Sequence, residues 1–162
     1  MENIFWEIDG IKGESLSDQG KDMIELMSFS GGVSMPLTSG PSNTSRASGR
    51  CNFQDFTVTK MFDIASPSLN LKCCGGEDIK EMKVHVWKAD AAAKPVEYLT
   101  YTFDSCIITS ISAGGGADQP IETVSFSFKK ITWDYNKQKQ DQPGGKEGKA
   151  SASWSLDENK GK

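Results

Sequence analysis

Few side chains in this sequence are placed to do chemistry. His85 is the only histidine, and it stands between Lys83 and Trp87 in a run that alternates apolar and polar residues. A serine or cysteine triad would have to draw its base from this one residue, and no G-x-S-x-G elbow accompanies it. His85 therefore reads as a solvated or packed strand residue rather than a general base. The cysteines are Cys51, Cys73, Cys74 and Cys106. No C-x-x-C spacing makes a zinc frame, and adjacent thiols such as Cys73 and Cys74 rarely close on each other. Buried free thiols in a reducing compartment are expected. Glu14, Asp18 and Asp22 lie in a polar connection without apolar neighbours to raise a carboxyl pKa, so a solvated acidic loop is expected there. Gly114, Gly115 and Gly116 fall between two strand-like runs, as a hairpin loop does, and not ahead of a helix that could cradle phosphate. Trp6, Trp133 and Trp154 share parity with apolar neighbours and read as core; Trp87 stays open as a ligand-stacking residue. The expectation is no catalytic set, no metal and no cofactor.

The elements that would position these residues are mostly strands. Ile4, Trp6 and Ile8 alternate with Phe5 and Glu7. From Asp22 to Gly31, Ile24 and Leu26 lie on one face while Met27 and Phe29 lie on the other, as in a strand covered on both sides. Between Cys51 and Lys60 the phase slips, which predicts a bulge near Gln54 and Asp55. Met82, Val84 and Val86 make the next face, and Leu99, Tyr101 and Phe103 follow, continued by Ile107, Thr109 and Ile111. Val124, Phe126 and Phe128 precede a second slip at Lys129 and Lys130, and Ala150, Ala152, Trp154 and Leu156 close the pattern. One helix interrupts: Ser66 is the expected N-cap, Pro67 fits the first turn, Leu69 and Cys73 share a face, and Gly75 and Gly76 end it. Residues 34–50 are rich in Gly, Pro and Ser and read as either an extended loop or a disordered one; residues 136–149 read as a flexible connection. The predicted architecture is mainly β: a compact barrel of two bent antiparallel sheets with one short flanking helix, a single domain over 1–162.

Composition narrows the function classes. The formal net charge is −4 with 25% charged residues, which argues against a basic stripe for nucleic acid and against a polybasic membrane surface. No run approaches the ~20 apolar residues of a membrane span, and the first ten residues read as a strand and not as a cleavable signal peptide. The residues alone leave two readings open: a self-assembling structural protein, or a small glycan- or ligand-binding β-module working through Trp87.

A series of short motifs bears on that choice. Gly13-Glu14-Ser15 is followed by Ile24-Glu25-Leu26 and Ser28-Phe29-Ser30, then by Asn52-Phe53-Gln54-Asp55-Phe56 and Thr59-Lys60. Asp63, Ala65-Ser66-Pro67, Leu69 and Glu97-Tyr98-Leu99 come next, and Pro120, Glu122-Thr123-Val124 and Trp133-Asp134-Tyr135 close the series. In order and spacing, over nearly the whole chain, this resembles the haemolysin-coregulated protein (Hcp) family, tube proteins of the type VI secretion system. The chain departs from the family at Gly20, where many members carry His, and at Met23 and Gly31, where aromatics are common. The resemblance implies a hexameric ring with an open lumen. Such rings stack into a tube, held in the cytoplasm before assembly and then exported without a signal peptide. The partners it implies are further copies of the chain, the secretion-system sheath, a spike protein and small effectors carried in the lumen. By the same resemblance Ser30, with Ser28 beside it, would face the lumen, and Leu37, Thr38, Ser39, Gly40, Pro41 and Ser42 would lie in the loop that reaches the next ring.

Overall fold

A computed structural model describes residues 2–39, 46–89, 95–138 and 146–162. The strands are, in chain order, β1 (Glu2–Ile8), β2 (Ile24–Leu26), β3 (Ser28–Ser30), β4 (Val33–Ser34), β5 (Leu37–Ser39), β6 (Arg46–Ser48), β7 (Asn52–Phe53) and β8 (Phe56–Met61). Helix α1 (Ser66–Gly75) follows, and then β9 (Ile79–Ala89), β10 (Pro95–Gly114), β11 (Ile121–Ser127), β12 (Lys130–Gln138), β13 (Lys146–Ser155) and β14 (Lys160–Gly161). All ladders are antiparallel. One sheet runs β2-β1-β9-β10-β12-β13-β14, and the other runs β10-β11-β8-β3.

Strand β10 belongs to both sheets and bends between them. Its Leu99–Asp104 stretch pairs with β9 and β12, while Ile107–Gly114 pairs with β11. Ser105 sits at φ 52°, a left-handed conformation that L side chains visit rarely, and it reverses the alternation. Cys106 and Ile108 therefore turn inward, and Ile107 is 39% exposed. The expected face of Ile107, Thr109 and Ile111 is corrected accordingly. Only Ile111 packs on the core, after a register shift between Ile108 and Ser110 restores its parity.

A second corner lies at Met27. The run from Asp22 to Gly31 is two strands in two sheets, β2 on β1 and β3 on β8. At the corner Met27 donates its N–H to the Thr59 carbonyl at 2.8 Å and is half-exposed. The two edges meet through the chain and not through a ladder. The hydrogen bonding thus makes two bent sheets packed face to face, and the expected barrel is not closed. Similarly, the slip at Gln54 and Asp55 is a break between β7, which pairs with β4, and β8, which pairs with β3 and β11.

Between the sheets lie Trp6, Ile24, Val58, Leu69, Met82, Val84, Val86, Phe103, Val124 and Phe126. Phe56 is the hub of an aromatic cluster, with ring centroids 4.7 Å from Phe103, 5.5 Å from Phe126, 5.7 Å from Phe29 and 5.3 Å from Tyr101. Such pairs add about 0.5–1.5 kcal/mol each beyond area burial. Phe5 faces outward but is buried, because the segment before β2 folds back over it. A Cβ on Gly20 would lie 2.3 Å from the Phe5 ring, which is why this chain can hold only glycine there without a shift.

The described ends of the two polar stretches are paired. In 34–50, β5 and β6 pair as a hairpin, with Leu37 opposite Ser48 and Ser39 opposite Arg46. In 136–149, β12 and β13 remain paired, with Asn136 opposite Lys149 and Gln138 opposite Lys146. Residues 40–45 and 139–145, in the middle of the two stretches, lie outside the described residues.

Candidate functional site

The site is built from the outer face of the β10-β11-β8-β3 sheet. Phe29, Val58, Val124 and Ile111 are register partners pointing to the core, so the residues on either side of each point away. One outward row is Ser30, Thr57, Ser125 and Ser110; the next is Ser28, Thr59, Thr123 and Ser112. All eight positions are Ser or Thr, and Ser28, Ser30, Ser110 and Ser112 are exposed. Thr57 and Ser125 hydroxyls lie 2.9 Å apart. At one end Thr109 donates to Asp55 Oδ2 at 2.8 Å; at the other the rows give way to the paired Met61 and Ile121. The face is polar, small-featured and without formal charge along both rows. It can offer donors and acceptors to many surfaces and has no electrostatic preference among them. Sequence reasoning named Ser28 and Ser30 but missed Thr57, Thr59, Ser110, Ser112, Thr123 and Ser125. The signal was present in β8, where Thr57 and Thr59 alternate with Phe56 and Val58.

The candidate stacking residues lie elsewhere. Leu37, Thr38 and Ser39 form β5, whereas Gly40, Pro41 and Ser42 fall outside the described residues. The hairpin is rooted at the Phe56 end of β8: Gln54 donates its N–H to the Gly32 carbonyl at 3.0 Å, and the Arg50 guanidinium donates to the Leu156 carbonyl. Beside that root an aromatic cleft of 230 Å³ is walled by Phe53, Phe56, Tyr101, Phe128 and Trp133. It is built without Trp87, the residue on which a ligand-binding module was expected to rest.

Helix α1 sits at the Met61 end and is positioned by buried charge. Ala65 occupies the N-cap position and makes no side-chain cap; Ser66 is the first helical residue. The expected capping role of Ser66 is corrected, because its hydroxyl is drawn inward. Lys60 Nζ donates to Glu122 Oε2 at 2.7 Å, to Ser66 Oγ at 2.9 Å and to the Met61 carbonyl at 3.0 Å, and lies 2.9 Å from Asp63 Oδ1. Ser66 Oγ in turn donates to Glu122 Oε2 at 2.7 Å and accepts the Asp63 N–H at 3.0 Å. Lys60 and Glu122 are fully buried and stand opposite each other in the β8–β11 ladder. Both share the parity of core residues, Phe56 and Val58 in one strand and Val124 and Phe126 in the other. Two opposite charges on core parity were the sequence signal for this pair. Pro67 follows Ser66, Leu69 is buried, Cys73 packs against the core, and Gly76 ends the helix at φ 59°.

His85 is held between carboxylates on the outer face of the other sheet. Nδ1 is 2.6 Å from Glu97 Oε1 and Nε2 is 3.0 Å from Glu7 Oε2, and Thr100 Oγ1 donates to the same Glu97 oxygen at 2.5 Å. Only the imidazolium can donate to both acids. Burial opposes that charge, but Glu97 and Glu7 outweigh it and raise the His85 pKa above its ordinary value. Burial, aided by Asp104 and Asp78, pushes the Cys106 thiol up to about 12, so it is inert. All four cysteines are free; Cys74 is exposed, contrary to the expectation of buried thiols.

Against known proteins, the model of the family described as "Type VI secretion system effector, Hcp" matches residues 5–135. The chain belongs to the Hcp family. Protein hcp1 of Pseudomonas aeruginosa is 31% identical over 160 residues, covering 97% of this chain and 96% of that protein. A solved structure of a type six secretion system protein superposes with a TM-score of 0.88 at 28% identity, with 100% of each chain covered. Hcp1 from Salmonella typhimurium does so with a TM-score of 0.81 at 29% identity, covering 99% of this chain and 98% of that one. Several residues of the motif series, Lys60, Asp63, Ser66 and Glu122, meet in one buried network. No helix among the described residues is long and apolar enough to cross a membrane.

Proposed function

We propose that this Hcp-family chain is the tube subunit of a type VI secretion system. Six copies close into a ring, rings stack into a tube, and the face of Ser28, Ser30, Thr57, Thr59, Thr123, Ser125, Ser110 and Ser112 lines the lumen. The observation that carries this reading is the absence of any charged or bulky side chain on those two rows. Water and small effector proteins can pass over such a face, or rest on it, without one partner being favoured by charge. Ring closure needs two different complementary patches per subunit, consistent with a chain whose two sheets present unlike outer faces, hydroxyls on one and the His85 cluster on the other. The chain acts as scaffold and carrier and not as an enzyme. It is held in the cytoplasm before assembly and leaves through the apparatus it helps build, in contact with sheath, spike and cargo.

The test is substitution on the hydroxyl face. Ser30→Trp should leave the mass of the ring unchanged and reduce recovery of a bound effector in a pull-down by an order of magnitude or more. Full recovery of cargo with intact rings would place the lumen elsewhere.

A further inference from the structure

Beside the hairpin that joins β13 to β14, the outer face of the larger sheet gathers positive charge, in a chain whose net charge is −4. Ile131 and Trp154 are register partners that turn to the core, so Lys130, Thr132, Ser153 and Ser155 turn outward. Ser155 stands opposite Lys130 on one side and Lys160 on the other. Ser153 exchanges both backbone hydrogen bonds with Lys162, at 3.1 and 3.0 Å, which fixes that lysine beside it. Asn159 turns the chain at φ 51°, a left-handed conformation that asparagine tolerates better than most residues, and so brings β14 back along β13. The result is a cleft of 260 Å³ lined by Lys130, Ser153, Ser155, Glu158, Lys160 and Lys162.

The three lysines are not spent inside the fold. Lysine ion pairs among the described residues are made by Lys60, Lys72, Lys83 and Lys129. Lys129 takes Asp157, and Glu158 is the single acid lining the cleft, against three cations. Ser153 and Ser155, both half-buried, form the floor. Ser155 Oγ accepts the Glu158 N–H at 3.4 Å, so its own proton is free to be donated outward. Lysines on an edge strand such as β14 also keep that edge from pairing with another chain. That role does not account for Lys130, which lies on β12 between β10 and β13. Strands about 4.8 Å apart root Lys130 and Lys160 about 10 Å from each other across Ser155, so both ammonium groups can reach one small anion held between them.

The chemistry that fits is a tetrahedral dianion. A phosphate monoester carries about −1.5 to −2 charge at pH 7 and offers three acceptor oxygens. It matches the excess of cations over acid in the cleft, and its oxygens can meet ammonium and hydroxyl donors together. A lone carboxylate has only two oxygens and a single charge, and leaves the excess unanswered. We propose that this cleft binds a phosphoryl group, held by Lys130, Lys160 and Lys162 over the hydroxyls of Ser153 and Ser155, with Glu158 weakening the hold. The site lies on the sheet that does not carry the hydroxyl rows, and it stands independently of the tube reading.

The full-length protein is titrated into inorganic phosphate and followed by phosphorus NMR. In parallel it is floated with vesicles of phosphatidylcholine, with and without phosphatidic acid, which carries the same group on a lipid. The expected result is saturable broadening of the phosphate signal. Lys130→Gln and Lys160→Gln should each weaken binding about twofold to fivefold, the range open to an exposed charge pair, and Glu158→Gln should tighten it by a similar factor. Flotation that requires phosphatidic acid assigns the group to a lipid headgroup, and phosphate binding without flotation assigns it to a soluble ester. No saturable binding in either arm overturns the inference. Unchanged binding in Lys130→Gln overturns it as well and leaves the lysines of β14 as edge protection. Displacement of phosphate by a glutamate-rich peptide that binds more tightly also overturns it and gives the cleft to an acidic segment. All three substituted side chains are exposed, and an unchanged native mass shows that each variant is folded and assembled as the parent is.

Discussion

Replacing Lys60 by Met is expected to be among the most damaging single changes in the chain, although it replaces a charged side chain with an apolar one of similar length. The ammonium is fully buried and is satisfied by Glu122, Ser66, Asp63 and the Met61 carbonyl. Without it, Glu122 Oε2 keeps only the Ser66 hydroxyl, while Glu122 Oε1 has no partner among the described residues. A buried carboxylate stripped of its cation costs roughly 3–5 kcal/mol. In a chain of this size that corresponds to a fall in Tm of roughly 6–20 °C. The double change Lys60→Met with Glu122→Met removes both charges and should recover most of the loss, because desolvating an ion pair consumes much of what its attraction gains. Urea unfolding followed by tryptophan emission is a suitable assay, since Trp6 is fully buried and reports loss of the core. Chain concentration must be equal across variants, because assembly adds to apparent stability. A cost below about 1 kcal/mol for Lys60→Met, the range of a solvated pair, would refute the reasoning. So would a double variant as unstable as the sum of its singles, since coupled partners should not add.

Two further outcomes follow from the titrating groups. The His85 pKa is raised in the folded chain, so its stabilising contribution is complete below the ordinary histidine value and is lost as pH rises through the folded one. Stability should therefore decline from about pH 6.5 upward, and His85→Gln should flatten that slope in denaturation curves taken at several pH values; an unchanged slope would count against the Glu7–His85–Glu97 clamp. In thiol labelling of the native protein, exposed Cys74 should react first and Cys106 not until unfolding. Fast native labelling of Cys106 would contradict its burial.

The strand pattern was legible where alternation is unbroken, as in β9, where Met82, Val84 and Val86 are buried, and in β11, where Glu122, Val124 and Phe126 are. It failed where the backbone changes hand without a glycine to announce it. Ser105 at φ 52° is such a place, and one residue there moved Ile107 from the expected core to the surface. The hairpin of β5 and β6 was hidden by composition, because Gly, Pro and Ser raise the odds of loop without forbidding a ladder. Ser66 looked like a cap because a serine before proline usually is one, and nothing local reveals that Lys60 and Glu122 draw its hydroxyl inward. The candidate lumen face was half legible. Ser28 and Ser30 came from family resemblance, whereas their six hydroxyl neighbours required the register of four strands. The resemblance to the Hcp family was carried by motifs that are weak singly, and four of their residues, Lys60, Asp63, Ser66 and Glu122, share one buried network.

The central claim is that this chain closes into a hollow ring, and native mass measurement combined with particle images of the purified protein tests it most directly. The account predicts a mass of six chains and a round particle with an open centre. A single-chain mass at high concentration, with no ring in the images, would contradict it.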